Sequence, residues 1–249
     1  MTVVAIRDEP VVEVGVLGSF RCSVRRQPRK IPRSCQRLVA FLAVHDRPLQ
    51  RGYVASNLWI DKDEGHATAN LRSALWRLGQ LSEPIVVADQ GTLSLHPDVA
   101  LDLRALSEAA YRIVDDTHGG EEGASRLAEL QLFDRDLLPD WYDEWLVLDR
   151  ERVRQLRLHA LDRLSASLLL AGKLALAVDA ACASVAAEPL RETAQRALIV
   201  AHLAAGNRVE ALRQYERFRR TLDEGLGLQP SAELRSLMAS AVRRSAQED

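Results

Sequence analysis

Apolar residues recur at helical spacing through most of the chain and alternate with polar ones in only a few short regions. Between residues 64 and 81, Leu71, Ala74, Leu75 and Leu78 form one apolar stripe, which predicts an amphipathic helix. Two shorter helices are predicted ahead of it, over residues 34–45, with Ser34 as the N-cap, and over residues 51–59. Helices joined by a short polar turn in this order are typical of a helix-turn-helix.

Alternating patterns lie on both sides of these helices. Residues 12–17 and 20–24 predict two short strands, with Lys30-Ile31 as a third. After the helices, residues 85–88 and 92–96 alternate around Asp89-Gln90-Gly91, which is the pattern of a β-hairpin. Three helices followed by a hairpin predict a winged helix, and the leading strands indicate the variety with an N-terminal sheet.

From Asp102 onward the strand patterns stop. Gly172 and Gly206 are 34 residues apart, and so are Ala177 and Ala211, which is the spacing of tetratricopeptide (TPR) repeats. The chain is therefore predicted to be mostly α, with an α+β winged helix-turn-helix domain over residues 1–100 and an all-α TPR-like helical repeat domain over residues 101–249. Helices are predicted at 103–114, 122–132, from 143 or 149 to 170, 174–187, 190–205, 208–224 and 231–244.

An aromatic, acidic segment of residues 133–149 connects the first helices of the second domain. It contains Trp141, Tyr142 and Trp145. An open end of a helical repeat stack must be covered to stay in solution, so we expect this segment to cap the first helix pair. The alternative is that it forms part of a surface for a protein partner.

Charge is distributed unevenly along the sequence. Residues 1–82 hold 13 Lys and Arg against 7 Asp and Glu, whereas residues 101–249 hold 20 against 25. A basic first domain is suited to binding phosphate groups, although solvated basic loops would give the same counts. The imbalance therefore supports a nucleic-acid partner without deciding it.

The sequence contains no pattern typical of metal binding, cofactor binding, catalysis or membrane insertion. Three widely spaced cysteines predict reduced thiols, and the six histidines are not at metal-ligand spacing. There is no phosphate-binding loop, dinucleotide fingerprint or nucleophile elbow, so we expect no enzyme activity, no metal and no cofactor. There is also no apolar run near 18 residues and no signal peptide, which predicts a cytoplasmic location without a membrane partner.

The outer face of the helix at residues 64–81 carries the candidate DNA-binding residues. Arg72 and Arg77 are suited to guanine edges or phosphates, and Ser73 to either. Trp76 is suited to a thymine methyl group or a sugar, or else packs within the protein. Thr68 lies a turn earlier. An ordinary amphipathic helix with a solvated face is the alternative interpretation.

Three further arginines lie near predicted helix starts. Arg33, Arg37 and Arg51 are candidates for phosphate contacts, because helix N-termini favour anions. Solvated surface is an equally good interpretation for each. The turn of the predicted wing, residues 89–92, has no Lys or Arg, so we expect little specificity from it.

The order of winged helix and helical repeats resembles the SARP family of bacterial activators, in which an OmpR-type DNA-binding domain precedes a bacterial transcriptional activator domain (BTAD). The resemblance covers residues 12–241. In the first domain it rests on Val16-Leu17-Gly18, Pro32-Arg33, Gln36-Arg37, Leu58-Trp59 and Ala69-Asn70-Leu71-Arg72-Ser73-Ala74-Leu75-Trp76-Arg77-Leu78. In the second it rests on Trp145, Glu188-Pro189-Leu190-Arg191-Glu192, Gly206-Asn207-Arg208, Glu210-Ala211-Leu212, Tyr215 and Gly225-Leu226-Gly227-Leu228-Gln229-Pro230-Ser231.

The resemblance implies an activator that binds double-stranded promoter DNA and contacts RNA polymerase holoenzyme, or further copies of itself on repeated sites. One departure concerns DNA affinity: the family's recognition helices often end in basic residues where this sequence has Gly79-Gln80. An interaction scaffold whose winged helix no longer binds DNA is therefore the main alternative.

Overall fold

The computed structural model describes residues 10–115 and 130–245 and divides the chain into two compact units. The first unit comprises Met1–Ala105 and Asp136–Glu151, and the second comprises Leu106–Arg135 and Arg152–Asp249. The first unit is thus discontinuous, since it includes a segment well beyond residue 100, where the sequence predicts the boundary. Most of the helix predicted at 122–132 lies outside the described residues.

The first unit contains the predicted winged helix. Its strands and helices, in chain order, are β1 (Val12–Gly15), β2 (Arg21–Val24), β3 (Gln27–Pro28), α1 (Arg33–His45), β4 (Leu49–Gln50), α2 (Arg51–Leu58), α3 (Glu64–Leu78), β5 (Val86–Asp89), β6 (Thr92–Leu95) and β7 (Val99–Leu101). The three helices and the hairpin after them are confirmed. The Ser34 cap is wrong, because α1 begins one residue earlier, after Pro32, and has no side-chain cap.

Two small sheets flank the three helices. One has the order β3-β2-β1-β7, with β1 antiparallel to β2 and parallel to β7, and the other has the order β4-β6-β5. Gln90 (φ 38°) and Gly91 (φ 90°) both have positive φ between β5 and β6, as a tight two-residue hairpin turn requires. The third strand is Gln27–Pro28 rather than Lys30-Ile31, and β4 and β7 were not predicted because two or three residues give no alternating pattern.

Helices form the rest of the chain. They are α4 (Asp102–Asp115), α5 (Leu146–Leu170), α6 (Leu174–Ala187), α7 (Glu192–Ala204), α8 (Arg208–Leu226) and α9 (Ala232–Ser245). Gly172 (φ 70°) and Gly206 (φ 77°), 34 residues apart, both adopt the left-handed conformation that ends a helix. The predicted end of α8 at Gly225 is wrong, because the left-handed residue is Gly227 (φ 65°).

The second unit has its own hydrophobic core. Ile199, Phe218, Leu222, Leu234 and Met238 pack together from α7, α8 and α9. Burying a large apolar side chain of this kind stabilises a fold by about 1.5–3 kcal/mol. Within residues 10–115 and 130–245, no helix combines the length and apolarity needed to cross a membrane.

Residues 136–151, hereafter the returning segment, pair with the start of the first unit. The Gly18 amide donates to the Asp136 carbonyl over 2.7 Å, and the Leu138 amide donates to the Val16 carbonyl over 3.0 Å. The Trp145 ring lies edge-on to Phe41 in α1, with 5.0 Å between centroids. The expectation that this segment caps the helical repeats is therefore wrong, since Trp145, and Trp141 through its stacking on Phe20, pack within the winged-helix unit.

Candidate nucleic-acid interface

Helix α3 is fixed at its start and along one face. The Asp63 carboxylate accepts a hydrogen bond from the His66 amide over 2.9 Å, which caps the helix and lowers the pKa of Asp63. Ala67, Leu71, Ala74 and Leu78 are buried beneath it. An α-helix held along one side in this way presents its opposite side as a rigid surface.

The outward side of α3 has Trp76 near its centre. At about 100° per residue, Ala69 and Trp76 lie opposite the buried stripe, with Arg72 and Ser73 on the flanks of this surface. The Trp76 side chain is 68% exposed, so the interpretation of Trp76 as an internal packing residue is wrong. Thr68 is half-buried at the edge of the stripe.

Arg77 is exposed but lies about a quarter turn from the centre of this surface. Burial raises the pKa of the Cys35 thiol in α1, and the Ser34 hydrogen bond and the positive charge of Arg77 oppose that shift. Arg77 thus lies close enough to α1 for its charge to act on the Cys35 thiol.

Arg72 and Arg51 line the same groove, which the sequence does not predict. A cavity of about 460 Å³ lies between the end of α3, the start of α2 and strand β5. Within residues 10–115 and 130–245, neither guanidinium forms an ion pair. The other lining residues are Leu75, Leu78, Gly79, Leu81, Ser82, Pro84, Ile85, Val86 and Ala88.

Arg33 and Arg37 have a protein partner instead. The Arg37 Nε atom lies 2.6 Å from the Asp143 carboxylate, and an Arg33 nitrogen lies 3.5 Å from its other oxygen. The Arg33 guanidinium also stacks over the Trp141 ring, 3.7 Å from its centroid. These contacts favour a structural role for Arg33 and Arg37 over the expected phosphate contact, because their charges hold the returning segment against α1.

Comparisons with known proteins assign the chain to a family. A sequence model described as "Bacterial transcriptional activator domain" matches residues 101–241. The chain belongs to the bacterial transcriptional activator domain family. The resemblance to SARP-family activators, inferred from the sequence, is thereby confirmed.

Two relatives are similar across both units. The regulatory protein AfsR of Streptomyces griseus is 28% identical over 211 residues, covering 83% of this chain and 22% of the relative. AfsR of Streptomyces coelicolor is 28% identical over 206 residues, covering 80% and 21%. This chain thus spans about a fifth of the length of these two regulatory proteins.

A solved structure supports the fold. Mycobacterium tuberculosis EmbR, in complex with a low affinity phosphopeptide, matches with a TM-score of 0.73 and 22% identity, over 95% of this chain and 66% of EmbR. The winged helix followed by helical repeats is therefore an arrangement that EmbR shares. The family consists of transcription regulators rather than enzymes.

Proposed function

We propose that this protein is a sequence-specific DNA-binding transcriptional activator that inserts α3 into the major groove of double-stranded promoter DNA. The observation that carries the proposal is the outward surface of α3, where Arg72 and Ser73 flank an exposed Trp76. The major groove is about 12 Å wide and admits one α-helix. A helix buried on one side and cationic on the other fits that space.

Each side chain of this surface has a defined task in the proposal. Arg72 reads a guanine edge through two hydrogen bonds, Ser73 binds a base edge or a phosphate, and Trp76 packs against a thymine methyl group or a sugar. Arg51, at the start of α2 and in the same groove as Arg72, binds a backbone phosphate. Arg77, to one side of α3, also binds a phosphate, and Thr68 lies at the edge of the interface.

The helical unit supplies protein contacts in this proposal. Family membership and the resemblance to SARP activators support RNA polymerase holoenzyme as a partner, and other copies of the chain on repeated sites as a second one. Such a protein acts in the cytoplasm and catalyses no reaction.

A salt titration with promoter fragments tests DNA binding. Phosphate contacts release counterions, so the logarithm of the binding constant should fall steeply and linearly with the logarithm of salt concentration. Arg72→Ala should weaken binding to the preferred site by about 1–3 kcal/mol and relax the preference at one base pair. Arg163→Ala, which removes an exposed arginine of α5, is the matched control.

The scaffold alternative gives the opposite result. A protein whose winged helix no longer binds DNA would show a shallow salt dependence and no preferred site. The Arg72→Ala variant would then match the Arg163→Ala variant, and this result in a folded protein would refute the proposal.

A further inference from the structure

A second groove lies within the helical unit, between α6, α7 and α8. Its volume is about 360 Å³. Val185 of α6 is the half-buried apolar residue of its wall, and the core residues Leu198 of α7 and Phe218 of α8 lie beneath it. Gln195, Gln214 and Arg217 add polar groups. This volume is at the lower end of the range for ligand sites, about 300–1,000 Å³. The groove therefore has room for a few side chains rather than for a folded partner.

Two buried glutamines in this groove form a hydrogen-bonded chain. Gln195 and Gln214 are only 3% and 7% exposed. The Gln195 amide nitrogen donates to the Pro189 carbonyl over 2.6 Å, and the Gln214 amide nitrogen donates to the Gln195 amide oxygen over 2.6 Å. Burying an amide costs free energy unless it is hydrogen-bonded, so these bonds make the polar floor of the groove stable.

The donor-to-acceptor direction of these hydrogen bonds is fixed at both ends of the series. Because the Pro189 carbonyl only accepts, the Gln195 amide nitrogen must face it, and its oxygen must face Gln214. The Gln214 oxygen then accepts from Arg217 over 3.3 Å, and a guanidinium only donates. The outer end of the chain is therefore a cation whose remaining N–H groups are available to an acceptor.

The other charged and polar groups of the groove leave the positive charge of Arg217 unneutralised. Among the described residues Arg217 forms no ion pair, and the buried Nδ1 atom of His202 has no hydrogen-bond partner. Glu210, the acidic lining residue, is paired with Arg213 over 2.7 Å. The groove therefore presents the positive charge of Arg217 beside the apolar side chain of Val185.

We propose that this groove binds a peptide segment of a protein partner, with an acidic side chain on the exposed Arg217 and a neighbouring apolar side chain against Val185. Stacked helical repeats offer grooves of this kind to extended peptides. The proposal rests on the part of the proposed function that gives the helical unit a protein partner. It is independent of DNA binding by α3.

The experiment selects peptides from a random octapeptide library displayed on phage, with the full-length chain as the target. Enriched peptides should carry Asp or Glu next to Leu, Ile, Val, Met or Phe. A synthetic, fluorescein-labelled copy of the most enriched peptide is then titrated with the protein, and its affinity is measured by fluorescence anisotropy. No enrichment, or enrichment of basic or uncharged peptides, overturns the proposal.

Variants locate the bound peptide. Arg217→Ala should weaken its binding by about tenfold or more, because a hydrogen bond to a charged group is lost. Arg220→Ala, which removes another exposed arginine of α8 outside the groove, should change it by less than about twofold. Equal affinities of the Arg217→Ala variant and the unmodified chain would refute the site.

A charge-reversed variant and a groove-filling variant test whether the peptide binds in this groove and through Arg217. Arg217→Glu should lose the acidic peptide and bind its Asp-to-Lys or Glu-to-Lys version, because opposite charges then face each other again. Ala186→Trp should fill the groove and also abolish binding, since Ala186 is exposed in its lining. Promoter DNA binding should be unchanged in Arg217→Ala, so failure of the peptide site and failure of α3 as a DNA-binding helix are measured separately.

Discussion

The sequence makes two pairs of arginines in the first unit candidates for DNA contacts, but the structure gives the two pairs different surroundings. Arg33 and Arg37 meet the carboxylate of Asp143, which is only 10% exposed. Arg51 and Arg72 line an open groove and form no ion pair in the part of the chain that the structure describes. The first pair stabilises the fold, and the second pair is available to a ligand.

The difference between the pairs comes from one distant residue. Asp143 is 106 residues from Arg37 in sequence. A carboxylate that is removed from water needs cationic partners, because an unpaired buried charge is strongly unfavourable. The position of an arginine near a helix start therefore does not distinguish a phosphate contact from a structural ion pair. The location of the nearest buried acidic residue distinguishes the two roles.

The largest effect should come from Trp141, on which Arg33 stacks. Its side chain is 5% exposed and stacks on Phe20, with 5.9 Å between centroids. Trp141→Ala should lower the free energy of unfolding of the first unit by about 3–5 kcal/mol. Urea denaturation, with hydrogen exchange at the β1 amides, measures the change. The neighbouring Tyr142, 94% exposed, provides the control Tyr142→Ala, and equal losses in both variants would contradict a structural role for the returning segment.

The next effect concerns the ion pairs themselves. Asp143→Asn leaves the Arg37 guanidinium, 26% exposed, without its charged acceptor and should cost about 1–3 kcal/mol of unfolding free energy. Asp140→Asn makes the same charge change at an exposed position of the same segment and should cost little. DNA affinity of folded Asp143→Asn should stay unchanged. A gain in affinity would mean that Arg33 and Arg37 bind DNA once released.

The sequence predicts features that depend on local patterns. Helices α1 to α3 and the wing were predicted to within a few residues, because their apolar stripes and the turn at Gln90-Gly91 are local signals. The 34-residue spacing likewise identified Gly172 and Gly206, whose left-handed conformations end helices.

The parts that the sequence did not predict depend on contacts between distant residues. The aromatic content of the returning segment is visible in the sequence, but its packing on Phe41 is not. Similarly, the convergence of Arg51 and Arg72 depends on the positions of α2, α3 and β5 in the folded unit. Hydrophobic periodicity describes one element at a time, so it cannot show which elements meet.

A smaller and purely electrostatic effect should separate the two pairs directly. Each phosphate contact contributes about 0.9 to the slope of log binding constant against log salt concentration. Arg51→Ala should therefore make the slope shallower by about one, whereas Arg33→Ala should leave it unchanged. Both are tested with the same promoter fragment at several salt concentrations. Equal slope changes in the two variants would remove the distinction between them.

The smallest effect concerns the hydrogen bond that caps the start of α3. The hydrogen bond from the His66 amide holds the pKa of Asp63 below its ordinary value of 3.8. Because the folded-state pKa is lowered, the cap contributes fully above pH 3.8 and is lost as the pH falls through the folded-state pKa.

An NMR titration of the His66 amide from pH 5 downward measures this loss. Asp63→Asn keeps an oxygen that accepts the bond but cannot titrate, so its His66 amide shift should stay constant over that range. In Asp63→Ala, the His66 amide should have the chemical shift of the uncapped helix start at every pH. Because Asp63 is exposed, solvent screening keeps the effect small, and DNA affinity near neutral pH should change by less than about twofold in Asp63→Asn. A His66 amide that titrates equally in Asp63→Asn would show that another group, and not this cap, responds to pH.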